Sequence, residues 1–184
     1  MPYPWKNKGR YDQAEFYLDH LADYNKKYEF EDKKISYSVK YKFHFHCFTD
    51  HTNKSGEHRT PFEDHNFPGE GRVFCPHRWW LSLRLPDILG NSIAGKRLFY
   101  AGGLQWVYNH RLINISIPYT IYLKFAPGTP SGPIVVNVNS AYMKADFQKN
   151  GPERRFDLLL ADAQAGKIPG ADIEATKMKK PDHR

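Results

Sequence analysis

The residues with the widest chemical reach in this chain are imidazoles and guanidiniums. Six of the nine histidines (His44, His46, His51, His58, His65 and His77) fall between positions 44 and 77. An imidazole, with an ordinary pKa of about 6.5, takes or gives a proton near neutrality. His44 and His46 follow Lys40 and Lys42 at intervals of two, and residues two apart on an extended strand point the same way. The stripe offers a cationic seat for a phosphate with a proton-transfer pair at its end; alternatively, the lysines simply clothe a solvated face. Arg72, His77 and Arg78 form a second group around an expected helix start, where an arginine fork matches two phosphate oxygens. Such a group can stabilise a crowded phosphorus centre, unless a carboxylate such as Asp87 or Glu70 takes up Arg78. Ser140 and Tyr142, two apart on a late strand, offer hydroxyls to a phosphate or a ribose. Ile134, Val136 and Val138 share their parity, so a bulge near Asn139 is needed to free them from a core face.

Metal and cofactor chemistry finds less support. Cys47, Cys75, His46, His51 and His77 are suitable zinc ligands by type, yet Cys75-Pro76-His77 is the nearest approach to a paired-ligand spacing. On a strand, the adjacent His46 and Cys47 face opposite ways. Gly69-Glu70-Gly71 and Gly102-Gly103 spell neither a phosphate-binding loop nor a dinucleotide fingerprint. No metal ligand set and no cofactor is therefore expected.

These side chains need a scaffold, and composition bounds it. The chain has 184 residues, 40% apolar and 15% aromatic, and its 27 basic and 20 acidic side chains leave a net charge of +7. That is enough apolar material for one packed domain, read here as 1–176, with a basic tail at 177–184. The charge attracts polyanions, nucleic acid above all. No apolar run approaches the roughly 20 residues of a bilayer-spanning helix, and Met1–Lys6 does not read as a secretory leader. Two cysteines point to a reducing, cytoplasmic setting.

Within the domain, Ala14, Tyr17, Leu18, Leu21, Tyr24 and Tyr28 fall at helical spacing, and Asp12 with Glu15 resembles a capping box, so a helix is expected over 11–29. Residues 35–47 alternate strictly, with Ile35, Tyr37, Val39, Tyr41, Phe43, Phe45 and Cys47 on one face, which predicts a long strand. A loop is expected from about 49 to 71. A helix opens at Pro76, with Trp80, Leu81, Arg84 and Leu85 on one side, and a second short one runs from Pro86 to Asn91. A hairpin turns at Gly102-Gly103, and further strands cover 115–125 and 134–143. The segment 156–160 is either a last strand or a helical turn. The sum is an α+β domain whose antiparallel sheet has about four to five strands.

The order of elements and the segment Ser131–Tyr142, ending in Ser-x-Tyr, resemble the barnase/EndoU/colicin/RelE-like toxin ribonucleases. The stretches His46–Thr49 and Arg72–Cys75 are also similar to those of an uncharacterised bacterial family. The first resemblance implies a metal-independent endoribonuclease, a toxin or phage-defence effector, with an acidic antitoxin or inhibitor protein as partner and RNA as substrate. In that reading His46 is the general base, and His44, or His110 from the hairpin, is the acid. Arg72 and Arg78 stabilise charge, while Ser140 and Tyr142 orient the phosphate. Lys40, Lys42, His77 and His110 supply RNA contacts. The competing reading is a noncatalytic module that docks nucleic acid or a protein on the same basic face.

Overall fold

The computed structural model describes residues 8–11, 14–51, 61–62, 71–129, 132–145 and 151–178. The first described elements are β1 (Lys8–Tyr11), β2 (Ala14–Tyr17), β3 (Tyr24–Phe30) and β4 (Ile35–Phe43). β5 (Thr49–His51), β6 (Pro61–Phe62) and β7 (Arg72–Phe74) lead to helix α1 (Pro76–Ser82) and the single turn α2 (Leu85–Asp87). A π-helical turn, Ile88–Ser92, follows α2 directly. Then come β8 (Arg97–Gly102), β9 (Gln105–His110), β10 (Tyr119–Phe125), β11 (Ile134–Met143) and β12 (Glu153–Arg155). Helices α3 (Phe156–Gln164) and α4 (Ala171–Met178) complete an α+β fold.

Seven strands form one mixed sheet in the order β12-β8-β9-β10-β11-β4-β3. Neighbours are antiparallel except β11 and β4, which run parallel with Ile134 opposite Val39 and Val138 opposite Phe43. β1 and β2 form a separate hairpin, and β5-β7-β6 a small antiparallel sheet. The alternation in β4 decides its faces: Val39, Tyr41 and Phe43 are buried, while Lys40 and Lys42 stay half-buried on the other side. Among the described residues, no helix is long and apolar enough to cross a membrane.

Several expectations need correction. The segment 11–29 is not a helix but the end of β1, then β2, a 3-10 turn at Asp19–Leu21, and β3. Tyr24 and Tyr28 are four apart, a spacing that fits both a helix and a strand, and aromatic side chains favour the strand. Asp12 lies outside the described residues, and Glu15 belongs to β2, opposite Arg10 in the backbone register of the β1–β2 hairpin, so no helix starts there for it to cap. The long strand ends at Phe43, after which Phe45–Cys47 forms a 3-10 turn. Phe45 and Cys47 remain buried and His46 half-buried, so the alternation persists although the backbone has turned. The expected loop carries β5, β6 and β7, and 52–60 and 63–70 lie outside the described residues. On α1 and beyond it, Leu81 and Leu85 face the core, whereas Trp80 and Arg84 are exposed. Pro118 precedes β10, leaving Ile117 exposed and Ile115 half-buried outside the strand. Among the described residues the sheet has seven strands rather than four to five, and it is mixed.

The core lies on the face of the sheet that carries Val39, Tyr41, Ile121, Leu123, Val136 and Val138, against Leu81, Leu85 and Leu89 and the α3 residues Phe156, Leu159 and Leu160. Buried tyrosines are tied internally: the Tyr28 and Tyr41 hydroxyls are 2.6 Å apart, and Tyr28 also donates to the Leu89 carbonyl. Helix α4 is fastened to the β8–β9 turn by Glu174, which accepts from the Tyr100 hydroxyl and from the Gly103 N–H at 3.0 Å.

Gly170 makes that seam possible. Its φ is +95°, and a Cβ there would lie 2.6 Å from Cε2 of Tyr100 and 3.4 Å from Nε1 of Trp106. Both rings are held in place, because Trp106 donates to the Pro169 carbonyl at 3.1 Å. Gly170→Ala should therefore cost about 2 kcal/mol, combining backbone strain with the ring contact. Urea unfolding checks this, and an unchanged midpoint would count against so tight a seam.

A candidate polar corner at the parallel strand junction

Four elements meet where β4 ends. The 3-10 turn Phe45–Cys47 carries the chain out of the sheet beside β11, and the His44 N–H still donates to the Val138 carbonyl at 2.9 Å. Immediately beyond, Tyr122 pairs with Ser140 but Leu123 pairs with Val138, so Asn139 is a bulged residue. The extra residue reverses the parity of the strand. Before it Val136 and Val138 are buried; after it Ala141 is buried, and Ser140 and Tyr142 turn to the outer face.

Pro76, with its fixed φ and missing N–H, starts α1 next to this turn. Arg78 then reaches across. Its Nη1 donates to the His46 carbonyl at 3.2 Å, its Nη2 lies 3.4 Å from Asp50 Oδ1, and its Cζ sits 4.7 Å from the centre of the Tyr142 ring. The His44 and His46 rings touch edge to face, with centroids 4.4 Å apart. Tyr142 stacks on Tyr122 at 5.7 Å, and the Tyr122 hydroxyl accepts from Tyr142 and from Lys144 Nζ, each at 3.3 Å. Burial and the bond to Tyr122 push the Tyr142 phenol above its ordinary pKa, so it remains a neutral hydroxyl at physiological pH.

The structure therefore brings His44, His46, Arg78 and Tyr142 together, with Ser140 on the same face two residues from Tyr142. Lys42 continues that face beside Asn137. Other candidates stand elsewhere. Arg72 lies in β7, not at a helix start, and is buried; its guanidinium donates to Thr49 Oγ1 at 3.1 Å and to the Thr49 carbonyl at 3.0 Å. Thr49 Oγ1 in turn donates to the Phe45 carbonyl at 2.9 Å, so Arg72 braces the 3-10 turn from behind instead of joining the imidazoles. Lys40 is held by Asp23 at 3.1 Å. His77 is exposed on α1, and His110 sits 3.3 Å from the Tyr108 hydroxyl on the core side of β9. Among the described residues, the carboxylate that takes up Arg78 is Asp50 and not Asp87; Glu70 lies outside them. Tyr122, Lys144 and Asp50 escaped notice in the sequence, since their roles depend on strand register; the outward parity of Tyr122 was the available signal.

Cys47 Sγ is buried 3.5 Å from the Val138 carbonyl, and burial pushes its thiol up to about 12, which removes it as a nucleophile. Among the described residues, no three His, Cys, Asp or Glu side chains gather as a metal ion requires. A cavity of about 480 Å³ lies at the other end of the fold, between Arg154, Asp162, Lys167 and Pro169, and none of the candidate residues lines it.

One serine–histidine pair does occur: His20 Nε2 is 2.8 Å from Ser82 Oγ. Ser82 is wholly buried and donates its own proton to the Trp79 carbonyl at 2.7 Å, so the pair pins α1 to the segment before β3 instead of activating a nucleophile. Burial holds His20 below its ordinary pKa against the pull of Asp19, and burial does the same to His110. In the unfolded chain both titrate near 6.5, so the unfolded state binds more protons as pH falls below that value. Stability from these two groups is complete above about pH 6.5 and declines as pH drops toward their folded values. The urea midpoint should fall between pH 7.5 and 5.5, and by less in His20→Gln/His110→Gln; equal falls in both proteins would refute the assignment.

The family model of the YjaZ family matches residues 8–164. No curated protein matches the chain, and no solved structure does.

Proposed function

This chain belongs to the YjaZ family, and we propose that it is a metal-independent endoribonuclease acting at the corner built by His44, His46, Arg78 and Tyr142. The observation that carries the reading is a pair of touching imidazoles on a turn whose His46 carbonyl holds a guanidinium that is itself stacked on a neutral tyrosine. His46 takes the proton from a ribose 2′-hydroxyl, whose oxygen bonds to the adjacent phosphorus. The bond from phosphorus to the 5′-oxygen breaks, and His44 supplies the proton that oxygen needs. The products are a 2′,3′-cyclic phosphate and a free 5′-hydroxyl. Arg78 offsets the charge that builds on the phosphoryl oxygens, while Ser140 and Tyr142 orient the group. An acidic inhibitor protein is the partner that the basic surface would attract.

Purified protein incubated with total RNA in EDTA should produce ends of that chemistry. Intact RNA under these conditions would overturn the reading. One feature favours the noncatalytic alternative: Asp50 and the His46 carbonyl already engage Arg78, which takes up the fork that a phosphoryl transition state would need. Retention of uncut RNA in a mobility-shift assay would identify that case.

A further inference from the structure

The outer face of the sheet extends beyond this corner. Register places Lys42 of β4 beside Asn137 of β11, and Asn137 beside Lys124 of β10, so the three form one row across adjacent strands. The next row toward the corner holds Ser140 and Tyr122, directly opposite each other. Strands lie about 4.8 Å apart, which puts the Lys42 and Lys124 backbones roughly 9.6 Å apart, within joint reach of a group above Asn137. Lys42 is half-buried and Lys124 exposed, and neither has an ion-pair partner among the described residues. Lys40, one position further along the stripe, is neutralised by Asp23. The cationic track thus stops at this row and leads only toward His44, two residues along the same face and roughly 6.6 Å away.

We propose that Lys42, Asn137 and Lys124 form a second phosphate subsite, holding the phosphate that neighbours the scissile one in a single-stranded RNA. This inference rests on the ribonuclease reading and deepens it: the substrate is an oligonucleotide with at least two consecutive phosphates. The two lysines act as paired point charges, and the Asn137 amide donates between them.

The test compares wild type with Lys42→Gln/Lys124→Gln and with Lys96→Gln/Lys167→Gln, which removes two exposed charges elsewhere. Binding of a labelled single-stranded oligonucleotide is measured across a salt series, and cleavage is measured on that oligonucleotide and on a dinucleoside monophosphate. The row variant should bind about tenfold more weakly, and its slope of log affinity against log salt should drop by about 0.7 or more, the release expected for one phosphate on a single strand. The dinucleoside monophosphate, which carries only the scissile phosphate, should be cut equally well by all three proteins. Equal losses in the row variant and the surface control, or an equal loss on the dinucleoside monophosphate, would overturn the subsite. If wild type cuts neither substrate, the ribonuclease reading fails, and the salt series still decides whether the row binds phosphate.

Discussion

His46→Ala should lower RNA cleavage by about 10²–10⁴-fold, the usual contribution of a positioned proton-transfer group. The variant is a clean probe, because Arg78 is bonded to the His46 backbone carbonyl and not to its ring. Removing the imidazole therefore leaves the link between α1 and the 3-10 turn in place, and the thermal midpoint should stay within a few degrees of wild type. Arg78 is a different case. Arg78→Ala would discard the carbonyl bond, the Asp50 contact and the stack on Tyr142 together, so loss of activity would be mixed with loss of structure. Arg78→Lys is the better companion: it keeps the charge and gives up the planar fork. Initial rates on an RNA oligonucleotide in EDTA, taken beside thermal unfolding, decide the matter. A folded His46→Ala protein that keeps more than a tenth of the wild-type rate would remove His46 as the base.

Inserting one alanine between Ser140 and Ala141 should have the largest structural effect of any single change in β11. Side chains alternate along a strand, so the added residue turns over everything beyond it. Tyr142 would point into the core, and Ala141 and Met143 would point out. The chain must then bury a phenol hydroxyl in an apolar layer or break the β10–β11 pairing beyond Tyr122, at a cost on the order of 3 kcal/mol or more. The Arg78 stack on Tyr142 goes with it, and so would the proposed cleavage. Deleting Asn139 is the control: Val138 and Ser140 already stand opposite the consecutive residues Leu123 and Tyr122, so the faces are kept and the unfolding free energy from a urea titration should change by less, about 1 kcal/mol. An insertion variant as stable as the deletion would mean that the β10–β11 register does not set the faces of this strand.

Patterns that one segment carries alone were legible in the sequence. β11 occupies Ile134–Met143 as its alternation predicts, the hairpin turns at Gly102-Gly103, and α1 begins at Pro76. The parity of Val136 and Val138 says that only a bulge near Asn139 can free Ser140 and Tyr142, but that the strand has one is visible only in its register with β10. Features that depend on a partner were not legible. The N-terminal segment is ambiguous on its own because a spacing of four satisfies two periodicities, and pairing with β4 selects the strand for Tyr24–Phe30. Nothing near Arg72 announces that Thr49, 23 positions earlier, will satisfy its guanidinium. Likewise, Tyr122 joins the corner through its register with Ser140, and the parallel partnership of β4 and β11 leaves no local trace.

That partnership also bears on biosynthesis. Each pair in the β4–β11 ladder, such as Val39 with Ile134, is 95 positions apart, and contacts this distant close late and slowly. His44 and His46 leave the ribosome long before Ser140 and Tyr142 do. Until the second contingent has emerged and docked, Arg78 lacks its tyrosine stack and the His44 amide lacks the carbonyl that anchors it. On the ribonuclease reading proposed above, a nascent chain tethered to its own messenger is not yet equipped to cut it.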